Sequence, residues 1–297
     1  MGEVYQHPKY YEMAFSWRDV SAEVAVFEEV IQRYSRIPVT CMLEVGCGPA
    51  PHLPELAHRG YTYVGLDVSR AMLAYAHDRA QVLQASATFV EADMQHFCLA
   101  EPVDFAFVLL GSLFVQSTAD LIAHFAAMGR ALKPGGLYLL DWCINFATNA
   151  GRQETWTLEQ DGITVTTTYE AHMANAVEQT IEEILTLVVV EHSRQTTLRE
   201  VTIRRAVQTP PRPPLHRCAR KPTLTCTDQL EQHQLLRGEG LTGPTPQSLR
   251  AIDDPRLLGI ERDQRALPRG KAGGVKDPVA NVSDFMLAPV VVAVVFR

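Results

Sequence analysis

The chain has 297 residues, 46% of them hydrophobic and 21% charged, which is ordinary for a globular protein that buries a core. Its net charge of −7 disfavours an electrostatic grip on nucleic acid or on an anionic membrane. Six cysteines without a Cys-x-x-Cys pair favour a reducing compartment, and the longest apolar run, residues 289–296, is too short to span a bilayer. We therefore expect a cytoplasmic protein without a nucleic-acid or membrane partner.

Residues 1–20 are rich in aromatic side chains and carry charges where a signal peptide would be apolar. Two interpretations fit these aromatic residues: packing against the first helix, or a flap over a ligand site. Ser21 is predicted to cap that helix, because apolar residues recur at helical spacing after it. Pro38 is predicted to end it.

The strongest signal is a glycine loop, Gly46-Cys47-Gly48, which follows an apolar strand (41–45) and precedes a second one that ends on Asp67. This order is typical of the first half of a βαβ unit. An acid about 20 residues beyond the glycines is suited to accept from ribose hydroxyls. The pattern predicts a nucleoside-containing cofactor at this edge of a parallel sheet.

The loop differs from a dinucleotide site, because Pro51 stands where a third glycine is required. Pro49, Pro51 and Pro54 also remove N–H donors that a pyrophosphate would use. An NAD-dependent oxidoreductase is therefore disfavoured, whereas a ribose with a short zwitterionic tail still fits. Residues 43–73 resemble the first two motifs of class I S-adenosylmethionine-dependent methyltransferases.

The resemblance extends to about residue 142, through further elements in the order that the family shows. They are a helix from 70 to 80, strands at 87–90 and 103–110, an amphipathic helix from 119 to 132 that stops at Lys133-Pro134-Gly135-Gly136, and a fifth strand at 137–142. The expected fold is α/β: a Rossmann-like, mostly parallel sheet with helices on both faces.

The resemblance implies S-adenosylmethionine as the cofactor. It assigns the ribose to Asp67 and the adenine to Asp93 and Met94, although Asp93 also fits a simple turn cap. Arg18 would pair with the methionine carboxylate, unless it is a solvated surface charge. The other implied cofactor-binding residues are Tyr11, Glu44, Gly46, Cys47, Gly48, Val68, Met72, Leu110 and Gly111.

The segment after the fourth strand, Gly111-Ser112-Leu113-Phe114, lacks the motifs of nucleic-acid adenine and cytosine-C5 methyltransferases. This favours a small-molecule acceptor, whose N, O, S or C nucleophile would attack the sulfonium methyl in line. A general base is optional, and the candidates are His7, Tyr11 and His172. The alternative is a non-catalytic S-adenosylmethionine-binding module that has lost transfer activity.

The remaining chain suggests further units around this core. Residues 151–205 predict three or four antiparallel strands, which either roof the acceptor pocket or form an edge extension or dimer surface. Residues 206–280 are proline-rich and irregular, and divergence, a disordered loop and an altered reading frame all fit. The spacing of His216, Cys218, Cys226 and His233 is too irregular to predict a metal site. The expected division is a flap and helix (1–40), a cofactor-binding core (41–150), the β insert (151–205), the irregular segment (206–280) and a terminal strand (281–297), in a monomer or homodimer.

Overall fold

A central sheet organises the computed structural model, which describes residues 2–141, 144–145, 151–205, 207–208, 250–251 and 291–295. Five parallel strands lie in the order β5-β4-β1-β2-β3, with β13 antiparallel beside β5 and β12 beside β13. Their bounds are β1 Cys41–Val45, β2 Thr62–Asp67, β3 Ala87–Glu91, β4 Val103–Val108, β5 Leu132–Asp141, β12 Arg250–Ala251 and β13 Val291–Val295. The Rossmann-like fold expected from the sequence is confirmed.

The central strands alternate their side chains between two apolar layers. In β4, which is buried along its whole length, Phe105 and Phe107 face one layer while Ala106 and Val108 face the other. Strands covered on both faces read as continuous apolar runs, which is why the sequence of β4 was recognisable. In β1 the same alternation places Glu44 on the phenylalanine side of the sheet.

Helices cover both layers. Helices α2, α3 and α4 pack on the phenylalanine side, and α5 packs on the other. Residues 4–6 form a short 3-10 helix and α1 follows it; the helix bounds are α1 Pro8–Ala14, α2 Val20–Tyr34, α3 Leu53–His58, α4 Arg70–Leu83 and α5 Thr118–Ala131.

Several helix ends differ from the sequence predictions: α2 already ends at Tyr34 and α4 extends to Leu83, and two further boundaries have a clear structural cause. The N-cap of α2 is Asp19, whose Oδ1 accepts from the N–H of Ala22 at 2.9 Å, and Ser21 lies inside the first turn. A carboxylate at this position also opposes the positive end of the helix dipole. Helix α5 ends at Ala131, and β5 begins at Leu132, so Lys133 to Gly136 belong to the strand.

A second sheet follows β5, as the sequence predicted. Its four antiparallel strands lie in the order β10-β9-β8-β7, with bounds β7 Arg152–Gln160, β8 Ile163–Asn175, β9 Thr180–Glu191 and β10 Arg194–Arg205. The two-residue strands β6 (Ile144–Asn145) and β11 (Val207–Gln208) pair in parallel.

The N-terminal segment, residues 2–19, packs on this second sheet. Met13 and Ala14 share an apolar cluster with Val165 and Leu187, and the indole Nε1 of Trp156 donates to the carbonyl of Ala14 at 2.6 Å. Tyr5, Tyr10, Tyr11 and Phe15 pack against the same cluster, so these aromatic residues contact the inserted strands. The segment is positioned between the second sheet and the core.

Several expectations concern residues outside those that the structure describes. They include nearly all of 206–280 with its histidines and cysteines, and 281–290 of the predicted terminal strand. The division into domains stays a prediction. Within the described ranges, none of the helices combines the length and apolarity needed to cross a bilayer, and no group of three or more His, Cys, Asp or Glu side chains forms a potential metal site.

Candidate functional site

The glycine loop, residues 46–51, leaves the carboxyl end of β1 in a left-handed backbone conformation. Gly46 has a φ of 67° and Gly48 a φ of 51°, which residues with a Cβ rarely adopt. The N–H groups of Gly46 and Cys47 both donate to the carbonyl of Leu66 in β2, at 2.8 and 3.0 Å. The loop is thereby fixed at the edge where open α/β sheets bind their ligands.

Asp67, the last residue of β2, closes the other side of this loop. Its Oδ2 accepts from the N–H of Gly48 at 2.8 Å, and its Oδ1 accepts from the N–H of Ser69 at 2.7 Å. Burial raises the pKa of Asp67 above its ordinary value, against the lowering effect of these backbone donors. Each carboxylate oxygen has a second lone pair, so the group can also accept from ribose hydroxyls.

The other predicted cofactor residues lie along the same edge because parallel strands end together. Asp93 follows β3 with an exposed side chain whose Oδ1 accepts from the N–H of Gln95 at 2.8 Å, while Met94 is buried. After β4, Leu110 and Gly111 both have positive φ, and the N–H of Gly111 donates to the carbonyl of Asp141. Val68 is half exposed, and Met72 and Cys47 are buried.

Tyr11 of α1 covers the glycine loop from the N-terminal side. A Cβ placed on Gly48 would lie 3.8 Å from Cε1 of its ring. Burial raises the pKa of Tyr11 to about 12, so its hydroxyl stays protonated at neutral pH. This geometry suits a residue that covers a ligand better than one that removes a proton.

Arg18 and Glu44 have partners within the protein. The Arg18 guanidinium makes two bonds to Glu23, at 3.0 and 2.7 Å. The Glu44 carboxylate contacts Nδ1 of His52 at 2.7 Å and accepts from the Tyr63 hydroxyl at 2.6 Å. The roles assigned to Arg18 and Glu44 in cofactor binding stay predictions.

The two histidines suggested as bases have exposed side chains. His7 precedes α1, and its ring stacks on Tyr10 with the centroids 5.9 Å apart. His172 lies in β8 opposite Glu182, on the other face of the strand from the buried Ala171. Neither placement adds an argument for a catalytic role.

Sequence reasoning missed Asp141, the last residue of β5. Burial raises its pKa to about 7, with a further raising effect from Glu23 and lowering effects from a backbone bond to Leu110 and from Arg18. A carboxyl group that titrates near neutral pH at the binding edge of a sheet is a candidate general base. The only available sequence signal was its place at the end of an apolar strand.

These features fit S-adenosylmethionine better than a dinucleotide. Asp67 offers its carboxylate at the predicted ribose position, while Pro49 and Pro51 in the loop have no N–H for a pyrophosphate. The fold and the candidate site together indicate the class: a Rossmann-like α/β protein whose candidate nucleoside-cofactor site lies at the carboxyl ends of β1 to β4.

The comparisons with known proteins show which proteins this chain is similar to. Residues 42–136, roughly a third of the chain, match the family model described as a methyltransferase domain. This match to a methyltransferase domain agrees with the resemblance seen in the sequence.

Three similar proteins illustrate the relationship. A dTDP-3-amino-3,6-dideoxy-alpha-D-glucopyranose N,N-dimethyltransferase of Streptomyces fradiae is 30% identical over 153 residues, covering 50% of this chain and 57% of that protein. The structure of the sugar N-methyltransferase KedS8 of a Streptoalloteichus species has a TM-score of 0.58 and 24% identity, covering 70% and 80% of the two chains. That of CalS10 of Micromonospora echinaspora with bound S-adenosylmethionine has a TM-score of 0.56 and 24% identity, covering 67% and 82%.

The likeness to solved structures establishes the fold. The chain spans about half the length of the curated relatives that it matches. The acceptor and the activity of the whole protein are therefore matters for proposal.

Proposed function

We propose that this protein transfers a methyl group from S-adenosylmethionine to an amine of a small molecule. The observation that carries the proposal is the cofactor edge, where Asp67 binds the glycine loop through Gly48. When bound, S-adenosylmethionine supplies a methyl group on a sulfonium, which a nucleophile takes by in-line displacement. The protein's contribution is to orient the two molecules and exclude water.

Each part of the site has a distinct task in this proposal. Asp67 and the glycine loop bind the nucleoside and the zwitterionic tail, with Asp93 and Met94 at the adenine. Tyr11 and the N-terminal segment cover the loop and keep water out. In this proposal the second sheet, whose Trp156 is hydrogen-bonded to the N-terminal segment, forms the roof of the acceptor pocket.

Asp141 acts as the general base. An amine is mostly an ammonium at neutral pH and has no lone pair for attack until it loses a proton. A buried carboxyl group with a pKa of about 7 is partly ionised at neutral pH, and its carboxylate is a stronger base than that of an ordinary aspartate. Asp141 is the last residue of β5, the strand adjacent to β4, and its backbone carbonyl accepts from the N–H of Gly111.

The amine acceptor is favoured by the relative from Streptomyces fradiae, whose name describes methylation of an amino sugar linked to a nucleotide. Nucleotide-linked amino sugars are therefore the first acceptors to test. The interpretation of the protein as a cytoplasmic monomer or homodimer, without a nucleic-acid or membrane partner, stays a prediction.

The test is turnover over an acceptor panel of nucleotide-linked amino sugars, simple primary amines and catechols, followed by the release of S-adenosylhomocysteine. We expect an amino sugar to react fastest, and Asp141→Asn to lower kcat and remove the acidic limb near pH 7. Asp78→Asn, an exposed change in α4, is the matched control. Faster turnover of catechols would overturn the amine assignment. Binding of S-adenosylhomocysteine without any turnover would favour the non-catalytic binding module.

A further inference from the structure

A network of hydrogen-bonded side chains adjoins the glycine loop. His52, which is 0% exposed, stands at its centre. Its Nδ1 lies 2.7 Å from Oε1 of Glu44, and its Nε2 lies 2.8 Å from Oε2 of Glu23. The network continues from Glu44 to Tyr63 and from Glu23 to Arg18.

The two short contacts of the ring favour a His52 that is protonated on both nitrogens. A neutral imidazole has a single N–H, so one ring nitrogen would direct a lone pair at a carboxylate oxygen less than 3 Å away. Only the imidazolium donates to both Glu44 and Glu23. Nη2 of Arg18, 3.2 Å from Nε2, could donate to a neutral ring, but the closer oxygen of Glu23 would then face the same lone pair.

The charges around the ring support this assignment. Burial alone would lower the pKa of His52, but the attraction of Glu44 and the bonds to both carboxylates raise it above the ordinary value. The pKa of Glu23 is lowered despite burial, because His52 and Arg18 donate to it. The aromatic rings of Phe27 and Phe107 pack on the rest of the imidazole.

Besides Tyr63 of β2, the network joins four separate parts of the fold. Arg18 belongs to the N-terminal segment, Glu23 to α2 and Glu44 to β1, while His52 directly follows the glycine loop and precedes α3. Among the described residues, Asp141 of β5 also interacts with Glu23 and Arg18, and Asp67 of β2 interacts with Glu44. If His52 loses its proton, the ring has one N–H left, and either Glu44 or Glu23 loses its hydrogen bond to the imidazole.

We propose that His52 is a positioning residue that ties the N-terminal segment to the glycine loop through Glu44, Glu23 and Arg18, and thereby holds the cofactor site in its binding geometry. The proposal rests on the proposed cofactor role of the loop. Since the tie requires the imidazolium, it is complete below the pKa of His52 and is lost as the pH rises through that value.

The experiment measures S-adenosylhomocysteine affinity by calorimetry between pH 6 and 9.5 for the wild type, His52→Gln, Glu23→Gln and the control His58→Gln, an exposed histidine in α3. The wild type and the control should lose affinity by up to about tenfold per pH unit above the pKa of His52. His52→Gln should bind at least about tenfold more weakly at pH 6.5 and show a flat profile. Glu23→Gln should shift the profile to lower pH, because one of the two carboxylates that stabilise the imidazolium is gone.

Two measurements on the free protein complete the test. ¹⁵N NMR of labelled histidine should show both ring nitrogens of His52 protonated at pH 6.5, and trypsin should cut at Lys9 or Arg18 sooner in His52→Gln than in the control. If His52→Gln does not fold, Glu23→Gln provides the same comparison. Wild-type affinity in His52→Gln, unchanged pH profiles, or a single protonated ring nitrogen would overturn the proposal. If the wild type does not bind S-adenosylhomocysteine, the proposed function fails, and proteolysis and NMR still decide whether the tie exists.

Discussion

Replacing Asp67 by asparagine tests the proposed ribose contact with little change in side-chain size. The carboxylate now accepts from the N–H of Gly48 with one oxygen and from that of Ser69 with the other. An asparagine has one oxygen, so its amide NH₂ must face one of these donors. The change therefore disturbs the glycine loop and removes a charged acceptor for the ribose.

The size of the effect follows from the number and type of bonds lost. A hydrogen bond to a charged group contributes about 1.5–3 kcal/mol, which corresponds to a loss of affinity of about ten- to 150-fold. Asp93→Asn is the comparison, since the Asp93 side chain is exposed and its bond runs to Gln95 in the adjacent turn. Losing one ordinary bond there should weaken binding by only about two- to tenfold.

Calorimetric titration with S-adenosylhomocysteine measures both losses, and circular dichroism at the same temperature confirms that each variant is folded. We expect Asp67→Asn to bind more weakly than Asp93→Asn. Equal losses, or a larger loss for Asp93→Asn, would show that the ribose is not held at the end of β2.

Two further predictions concern stability. Asp104 is 2% exposed and accepts from the N–H groups of Thr40 and Cys41 at 2.8 and 3.0 Å and from Lys133 at 2.7 Å. Asp104→Ala should therefore lower the free energy of unfolding in urea by about 2–4 kcal/mol. A change below about 0.5 kcal/mol would contradict this account. Because burial raises the pKa of Asp141 from 3.8 to about 7, the stability that its proton contributes is full below pH 3.8 and is lost as the pH rises through 7. Asp141→Asn should therefore raise the thermal midpoint relative to wild type at pH 8 and change it little at pH 4, and the reverse order would refute the assignment.

The sequence predicted those parts of the fold in which the backbone or burial restricts the residue types of a few neighbouring positions. The apolar run of β4 reflects burial on two faces, and the Gly46–Gly48 turn reflects a left-handed backbone; each requirement restricts residue types within a few positions. The acid at the end of β2 was recognised by its spacing from the glycines, and its ribose role stays a prediction. The cap of α2 was misassigned because Asp19 and Ser21 are both good capping residues, and only backbone geometry separates them.

The features that were missed depend on contacts between distant residues. His52 meets Glu23 across 29 positions, and no periodicity links an isolated histidine to an isolated glutamate. The perturbed pKa of Asp141 comes from burial by surrounding elements. The docking of the N-terminal segment on the second sheet joins Ala14 to Trp156, 142 positions away. Such pairings are set by how the elements pack.

The central claim is that the glycine loop and Asp67 form an S-adenosylmethionine site, and ligand-dependent stabilisation tests it most directly. Thermal unfolding at pH 6.5 should be followed with S-adenosylhomocysteine or NAD at the same concentrations. A ligand that binds only the folded protein adds about 2.7 kcal/mol at a hundredfold excess over its Kd, so S-adenosylhomocysteine should raise the unfolding temperature while NAD leaves it unchanged. Stabilisation by NAD without any response to S-adenosylhomocysteine would contradict the account.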